Sequence, residues 1–291
     1  MKFGIIGGSG LYEMEGIQRL AEHRIPTPFG EPSDTLMSGE LHGREVVFLP
    51  RHGRGHVLLP SEIPFRANVW AMKKLGVTHL VSVSAVGSLQ EDVAPGHIVF
   101  PDQFIDRTFL RPSTFFGRGV VAHVQFGNPV CPVLLPQLGA AADHVGAVNH
   151  VGGTYVCMEG PAFSTKAESQ LYRSWGGKVI GMTNLQEAKL AREAELCFAT
   201  IALATDYDCW HESAEEVSVE AVIAVMQHNI ATSRQILSQL IASFAPGNGC
   251  GCASAMQYAI LTAKDRIPEH IRTDLEPIIG KYLQPSSSGS S

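Results

Sequence analysis

Two aspartates one residue apart, Asp206 and Asp208, follow the uncharged run 198–204 and Thr205. Side chains two apart point the same way while a chain stays extended, so both carboxyls can face one ligand. Two carboxyls in unlike surroundings can supply general acid and base chemistry. Upstream, Arg51-His52-Gly53-Arg54-Gly55-His56 gathers two arginines and two histidines among glycines. A guanidinium fork suits phosphate, and an imidazole can donate from its neutral or charged form. His52 and His56 are four apart, a metal-ligand spacing, but no acidic third ligand accompanies them, so an anion is the expected occupant and no metal is. Gly7-Gly8-Ser9-Gly10 is a third candidate, because glycines let backbone N–H groups wrap an anion. It lacks the third glycine of a dinucleotide fingerprint, position 13 being Glu, and the Gly-Lys-Ser/Thr of a P-loop.

Strands must end beside these groups to position them. The run 198–204 reads as a strand buried on both faces, and open α/β sheets bind ligands at the carboxyl ends of such strands. Residues 2–6, 46–49, 77–84, 98–100, 153–157 and 179–184 read as further strands. Several run into small or polar residues, as at Ser84-Ala85-Val86-Gly87-Ser88 and Met182-Thr183-Asn184. Helical spacing marks 61–75, 164–175, 187–195 and 217–240, while the polar stretch 101–119 is expected to be a functional loop. Alternating strands and helices point to one α/β layer structure. Pro246-Gly247-Asn248-Gly249 separates a body at 1–245 from a helical C-terminal segment at 246–284, and the Ser/Gly-rich 285–291 is expected to be a disordered tail.

With 291 residues, 45% hydrophobic and 17% charged, the chain can bury a sizeable core. A formal net charge of -6 without a Lys/Arg stripe argues against nucleic acid. No uncharged run is long enough for a membrane span and the N-terminus does not read as a signal peptide, so a cytoplasmic location is expected. Of the six cysteines, 131, 157, 197 and 209 are scattered among apolar residues and read as small buried hydrophobes.

The glycine turn at 4–11, the Arg/His stretch at 51–56, Ser-Ala-Val-Gly-Ser-Leu at 84–89, Asp-Gln-Phe-Ile-Asp-Arg-Thr at 102–108, Glu-Gly-Pro-Ala-Phe-Ser at 159–164, Met-Thr-Asn at 182–184 and Ala-Thr-Asp-Tyr-Asp-Cys-Trp at 204–210 follow one another in order. With them the chain resembles the purine nucleoside phosphorylase superfamily, its trimeric branch, most closely the members that act on methylthioadenosine. The resemblance implies a three-layer α/β fold with a central mixed, partly barrel-like sheet flanked by helices. It also implies phosphorolysis, in which phosphate attacks the anomeric carbon of a 5′-methylthio nucleoside and releases the base and a ribose 1-phosphate, a reaction of purine and methionine salvage. By the same resemblance Ser9, Arg51, His52, Ser84, Ala85 and Thr183 hold phosphate, Met182 touches the ribose and Phe163 stacks on the base. Ser164, Asp206 and Asp208 read the base, Val219 and Val222 line the methylthio pocket with His56 nearby, and His123 is lent to a neighbouring subunit's site.

Asp206 is expected to protonate the leaving base, with Asp208 as its partner. An acidic residue at 206, where relatives acting on 6-oxopurines carry Asn, favours adenine. No cofactor is expected beyond phosphate as co-substrate, and the implied assembly is a homotrimer or a dimer of trimers. Gly181 departs from the Asn that commonly precedes Met-Thr. Cys250-Gly251-Cys252 is similar to the Cys-X-Cys tails of archaeal relatives, where it bears a disulfide. In this chain reduced thiols are expected, with a strained disulfide as the alternative, and two cysteines are too few for structural zinc. Rival readings are a methylthioinosine or general purine nucleoside phosphorylase, and a non-catalytic nucleoside-binding protein on the same fold.

Overall fold

A computed structural model describes residues 1–8, 11, 14–211, 219–247 and 249–283, without the side chains of 219–223. Its strands are β1 (Lys2–Gly7), β2 (Gln18–His23), β3 (Leu36–Leu41), β4 (Arg44–Pro50), β5 (His79–Ser88), β6 (Ile98–Phe100), β7 (Gln103–Arg107), β8 (Asn149–Val151), β9 (Thr154–Met158), β10 (Gly177–Gly181) and β11 (Cys197–Asp206). The helices are α1 (Phe65–Lys74), α2 (Leu134–His144), α3 (Lys166–Ser174), α4 (Asn184–Glu193), α5 (Val219–Ser243), α6 (Glu269–Asp274) and α7 (Glu276–Leu283).

The charge-free run reads as it folds: β11 is buried from Phe198 through Thr205. It lies parallel along β5, from Cys197 opposite His79 to Asp206 opposite Gly87. On its other edge β5 changes partner midway. β1 runs parallel to its first half (Phe3 opposite His79, Ile6 opposite Ser82), and β10 runs antiparallel to its end (Ile180 opposite Gly87). From β1 the mixed sheet continues through β4, β3 and β2, from β10 through β9 and β7, and from β11 through β6 to β8. Every arm of the sheet therefore leads back to β5.

Helices cover both faces. On one, α2 and α5 pack Leu134, Leu138, Ile236, Leu237 and Ile241 against β11, β1 and β6. On the other, α1, α4 and α7 bury Val69, Met72, Leu190 and Ile279. The segment after α5 joins this second layer through Met256, Ile267 and Ile271. Glu195 fastens it: one carboxylate oxygen accepts from the Met256 amide (3.0 Å) and the Tyr282 hydroxyl, and the other pairs with Lys281 Nζ (2.5 Å).

Where the structure departs from the sequence reading, the cause is local. The stretch 101–119 is not all loop, since β7 pairs in parallel with β9 inside it. β2 has five exposed residues out of six and gives no apolar alternation to read. α2 carries Pro136, which reads as a breaker but stands in the first turn, where proline is tolerated. α3 starts as its sequence suggests, with a reciprocal capping box between Thr165 and Glu168.

Beyond β7 the chain is tied to α4 by Glu193, which accepts from Thr114 Oγ1 (2.7 Å) and the Phe115 amide (2.8 Å). Burial pushes the Glu193 carboxyl up to about 7, although those two donors favour its anion. The folded state thus holds this proton more tightly than the unfolded chain, so its contribution is full below the ordinary Glu range and is lost as pH rises through about 7. Melting temperature should fall between about pH 5 and 8, and Glu193→Gln should remove on the order of 3 kcal/mol of the stability change across that range. A variant whose melting temperatures follow the parent's slope would assign it to another group.

Candidate active site

Arg51 leaves the end of β4 and turns inward, only 3% exposed. A guanidinium so placed needs an anion and several acceptors. Glu187 of α4 supplies the anion, taking Nε at 2.6 Å and Nη2 at 3.1 Å. Nη2 also donates to Ser82 Oγ (2.7 Å) and the Ile6 carbonyl (3.2 Å), and Nη1 to the Val83 carbonyl (2.9 Å). Ser82 in turn donates to Glu187 (2.6 Å) and accepts from Asn184 (2.9 Å). This accounts for four of the five N–H groups of the guanidinium and leaves one on Nη1 for a ligand.

Arg51 lines a cavity of about 520 Å³. Ser84 and Ala85 of β5, Gly8 beyond β1, and Thr183 at the N-terminus of α4 line the same end. The Ser84 and Thr183 hydroxyls are 3.3 Å apart. With the Arg51 guanidinium they make a site of positive potential for an anion. His52 stacks on His56 with ring centres 4.2 Å apart and gives its Nδ1–H to the Leu58 carbonyl (2.8 Å). Burial, with the Arg51 charge adding to it, holds His52 down to about 4. Its sequence-level role as a donor changes accordingly: the neutral ring has spent its N–H, and Nε2 accepts, as it would from a phosphate hydroxyl.

Tyr155 of β9 lies fully buried behind this end, its hydroxyl 3.3 Å from Ser84 Oγ. A Cβ at position 181 would overlap that hydroxyl, which is why glycine stands there.

The carboxyls occupy the other end. β11 stops at Asp206, and Asp208 begins a one-turn 3-10 helix with φ of 51°. The two side chains therefore do not share a face by strand alternation, as their spacing suggests. The backbone turns instead, and both line the cavity. Asp206 Oδ1 accepts from the Asp208 amide (2.8 Å) and Oδ2 from the Thr205 hydroxyl (2.7 Å). Asp208 accepts from the Ser169 hydroxyl, while burial raises its carboxyl above the usual range and the Asp206 charge adds to that. Phe163, 83% exposed, stands at the cavity edge.

The cavity thus gathers Arg51, His52, His56, Ser84, Ala85, Phe163, Met182, Thr183, Asp206 and Asp208. Ser164 is not in the lining itself but gives its hydroxyl to the sulfur of Met158 (3.7 Å), which is. His123 does not: it is exposed, on a segment whose amide donates to the Ala259 carbonyl (2.9 Å). Ser9 and the side chains of Val219 and Val222 lie outside the described residues, and the same helix, α5, brings Met226 and Ile230 to the cavity. Sequence reasoning missed the supports: Glu187, Ser82 and Asn184 around Arg51, and Arg111, which is bound to Glu159 (2.7 Å) and to the Met182 carbonyl. An inward arginine demands an acid, but nothing in the order of residues says which one.

The sequence pattern of the phosphorylase superfamily matches residues 2–242. The chain is 59% identical to the S-methyl-5'-thioadenosine phosphorylase of Geobacter sulfurreducens, over 96% of this chain and 98% of that one. It is 55% identical to the enzyme of the same name from Koribacter versatilis, over 99% of each. The crystal structure of a methylthioadenosine phosphorylase from an antarctic soil metagenomic library superposes with a TM-score of 0.91 at 46% identity, covering 97% of this chain and 98% of that one.

Glu187→Gln removes the charge that holds Arg51 while keeping the shape. It should weaken binding of inorganic phosphate and lower the melting temperature, with a destabilisation of about 3–5 kcal/mol if the pair is fully broken. Calorimetric titration with phosphate checks the first effect. Unchanged affinity would mean that the carbonyls and Ser82 hold the guanidinium unaided.

Proposed function

The chain belongs to the phosphorylase superfamily, and from that membership we propose that it cleaves S-methyl-5'-thioadenosine with phosphate, giving adenine and 5-methylthioribose 1-phosphate. The observation that carries this reading is the spacing along β5. Ser84 marks the anion end and Gly87, opposite Asp206, the carboxyl end, three residues apart. That is about 10 Å, room for a ribose between a phosphate and a purine.

Cleaving the glycosidic bond develops positive charge on the sugar and negative charge on the base. Phosphate at Arg51, Ser84 and Thr183 both shields the sugar's charge and attacks the anomeric carbon. The electron pair of the broken bond goes to the purine, which is neutralised by a proton at N7. Asp206 delivers that proton, and Asp208, whose carboxyl burial keeps closer to protonation, supports it. Ionised, the same carboxylates accept from the 6-amino group of adenine. Met182 lies under the ribose and Phe163 covers the base. Met226 and Ile230, apolar residues of α5, suit a 5′-methylthio group better than a hydroxyl, a preference worth about 1–3 kcal/mol.

The assembly we propose is a homotrimer or a dimer of trimers. Exposed Phe109 and Leu110, together with exposed Val121 two residues from His123, support it as apolar surface, and His123 would reach the site of an adjoining subunit. Among the described residues no helix is long and apolar enough to cross a membrane.

Base release from methylthioadenosine and methylthioinosine, each with and without phosphate, tests the reaction. Adenine release that requires phosphate is the expected result. Preferential release of hypoxanthine would overturn the base assignment, and release without phosphate would make the protein a hydrolase. Asp206→Asn should lower turnover of methylthioadenosine by about 10²–10⁴-fold and shift preference toward 6-oxopurines. A loss confined to KM would remove Asp206 from the proton transfer.

A further inference from the structure

Cys250-Gly251-Cys252 stands alone in the sequence, but the fold brings it company. Cys197 opens β11, and Cys131, just before α2, is held beside it by a hydrogen bond from its amide to the Phe198 carbonyl (2.8 Å). Gly251, at φ of 71°, turns the chain between its two cysteines. The Sγ atoms of Cys131, Cys197, Cys250 and Cys252 all lie within 4.8 Å of one another. Residues far apart in the sequence thus meet in one thiol cluster, two of them (Cys131 and Cys252) buried and two half-buried. None is joined in a disulfide, and the Cys197–Cys250 separation is 3.3 Å. Four sulfurs around zinc at about 2.3 Å would stand about 3.8 Å apart, inside the range of this cluster, whereas a disulfide needs about 2 Å.

We propose that these four cysteines form a structural tetrathiolate site for one zinc ion, which staples the segment after α5 to the start of β11. All-sulfur tetrahedral coordination without an open position selects a structural over a catalytic role, and soft thiolates select zinc over magnesium or calcium. Binding replaces four thiol protons, which pass to solvent, by four zinc–sulfur bonds, leaving a net charge of minus two on the cluster. The site is remote from the chemistry. It grips the first residue of β11, and the last residue of that strand, Asp206, is about 30 Å away.

The test uses the full chain purified under reducing conditions from zinc-supplemented medium. Metal analysis should find about one zinc per chain. A chelator with denaturant should release it together with four reactive thiols beyond those of Cys157 and Cys209. Refolding or exchange with cobalt should give an intense thiolate-to-cobalt charge-transfer band and the visible bands of a tetrahedral site. Cys250→Ser combined with Cys252→Ser should lose the metal and lower the melting temperature, while Cys209→Ala should keep the metal. If the double variant does not fold, the cobalt spectrum and thiol release of the parent decide. Protein that binds neither ion, a thiol count showing two disulfides, or zinc retained by the double variant would each overturn the proposal.

Discussion

The pair of Arg51 and Glu187 is the interaction on which the site rests. It joins β4 to α4 and, through the Ile6 and Val83 carbonyls and Ser82, reaches β1 and β5 as well. Both charges are almost fully withdrawn from water. Such a pair adds little net stability over apolar residues of the same shape, yet losing either member strands the other. Its value lies in orientation. Four elements must be in register before the guanidinium is satisfied, and only then is one Nη1 donor left for a ligand.

From that anchor the rest follows along β5. Its first half is parallel to β1, its end is antiparallel to β10, and β11 accompanies it throughout. The change of partner opens the sheet at the point where Ser84, Ala85 and Gly87 line the cavity. Donors converge at one end and carboxyls at the other, so the electrostatic gradient of the cleft matches the charge that develops on sugar and base. Remote support is similar in kind. Arg111, itself buried, ties Glu159 to the Met182 carbonyl and so fixes the two strand exits that carry Phe163 and Met182.

Much of this was legible in the order of residues. β11 announced itself by the absence of charge, and Arg51, Thr183 and Asp206 by standing at strand ends, so these residues of the cavity lining could be named. The residues holding those in place could not, because Glu187 sits in an ordinary amphipathic helix and its partner is 136 positions away. Asp208 reaches the cavity as its spacing suggests but by a different route, because past the strand the backbone turns to positive φ. Cys131 and Cys197 read singly as small apolar residues and Cys250-Gly251-Cys252 as a pair of thiols, and only tertiary contact brings the four together.

Gly181 and Tyr155 share a single volume, since the tyrosine hydroxyl stands where any side chain at 181 would begin. The two positions therefore cannot drift independently as sequences diverge. A lineage carrying the asparagine common before Met-Thr can reach this arrangement only by shrinking position 181 before a tyrosine arrives at 155, and the way back is closed until that ring is gone. Among descendants of such a chain, position 181 can enlarge only after the ring at 155 has been replaced, which makes the contact a historical ratchet as well as a packing detail.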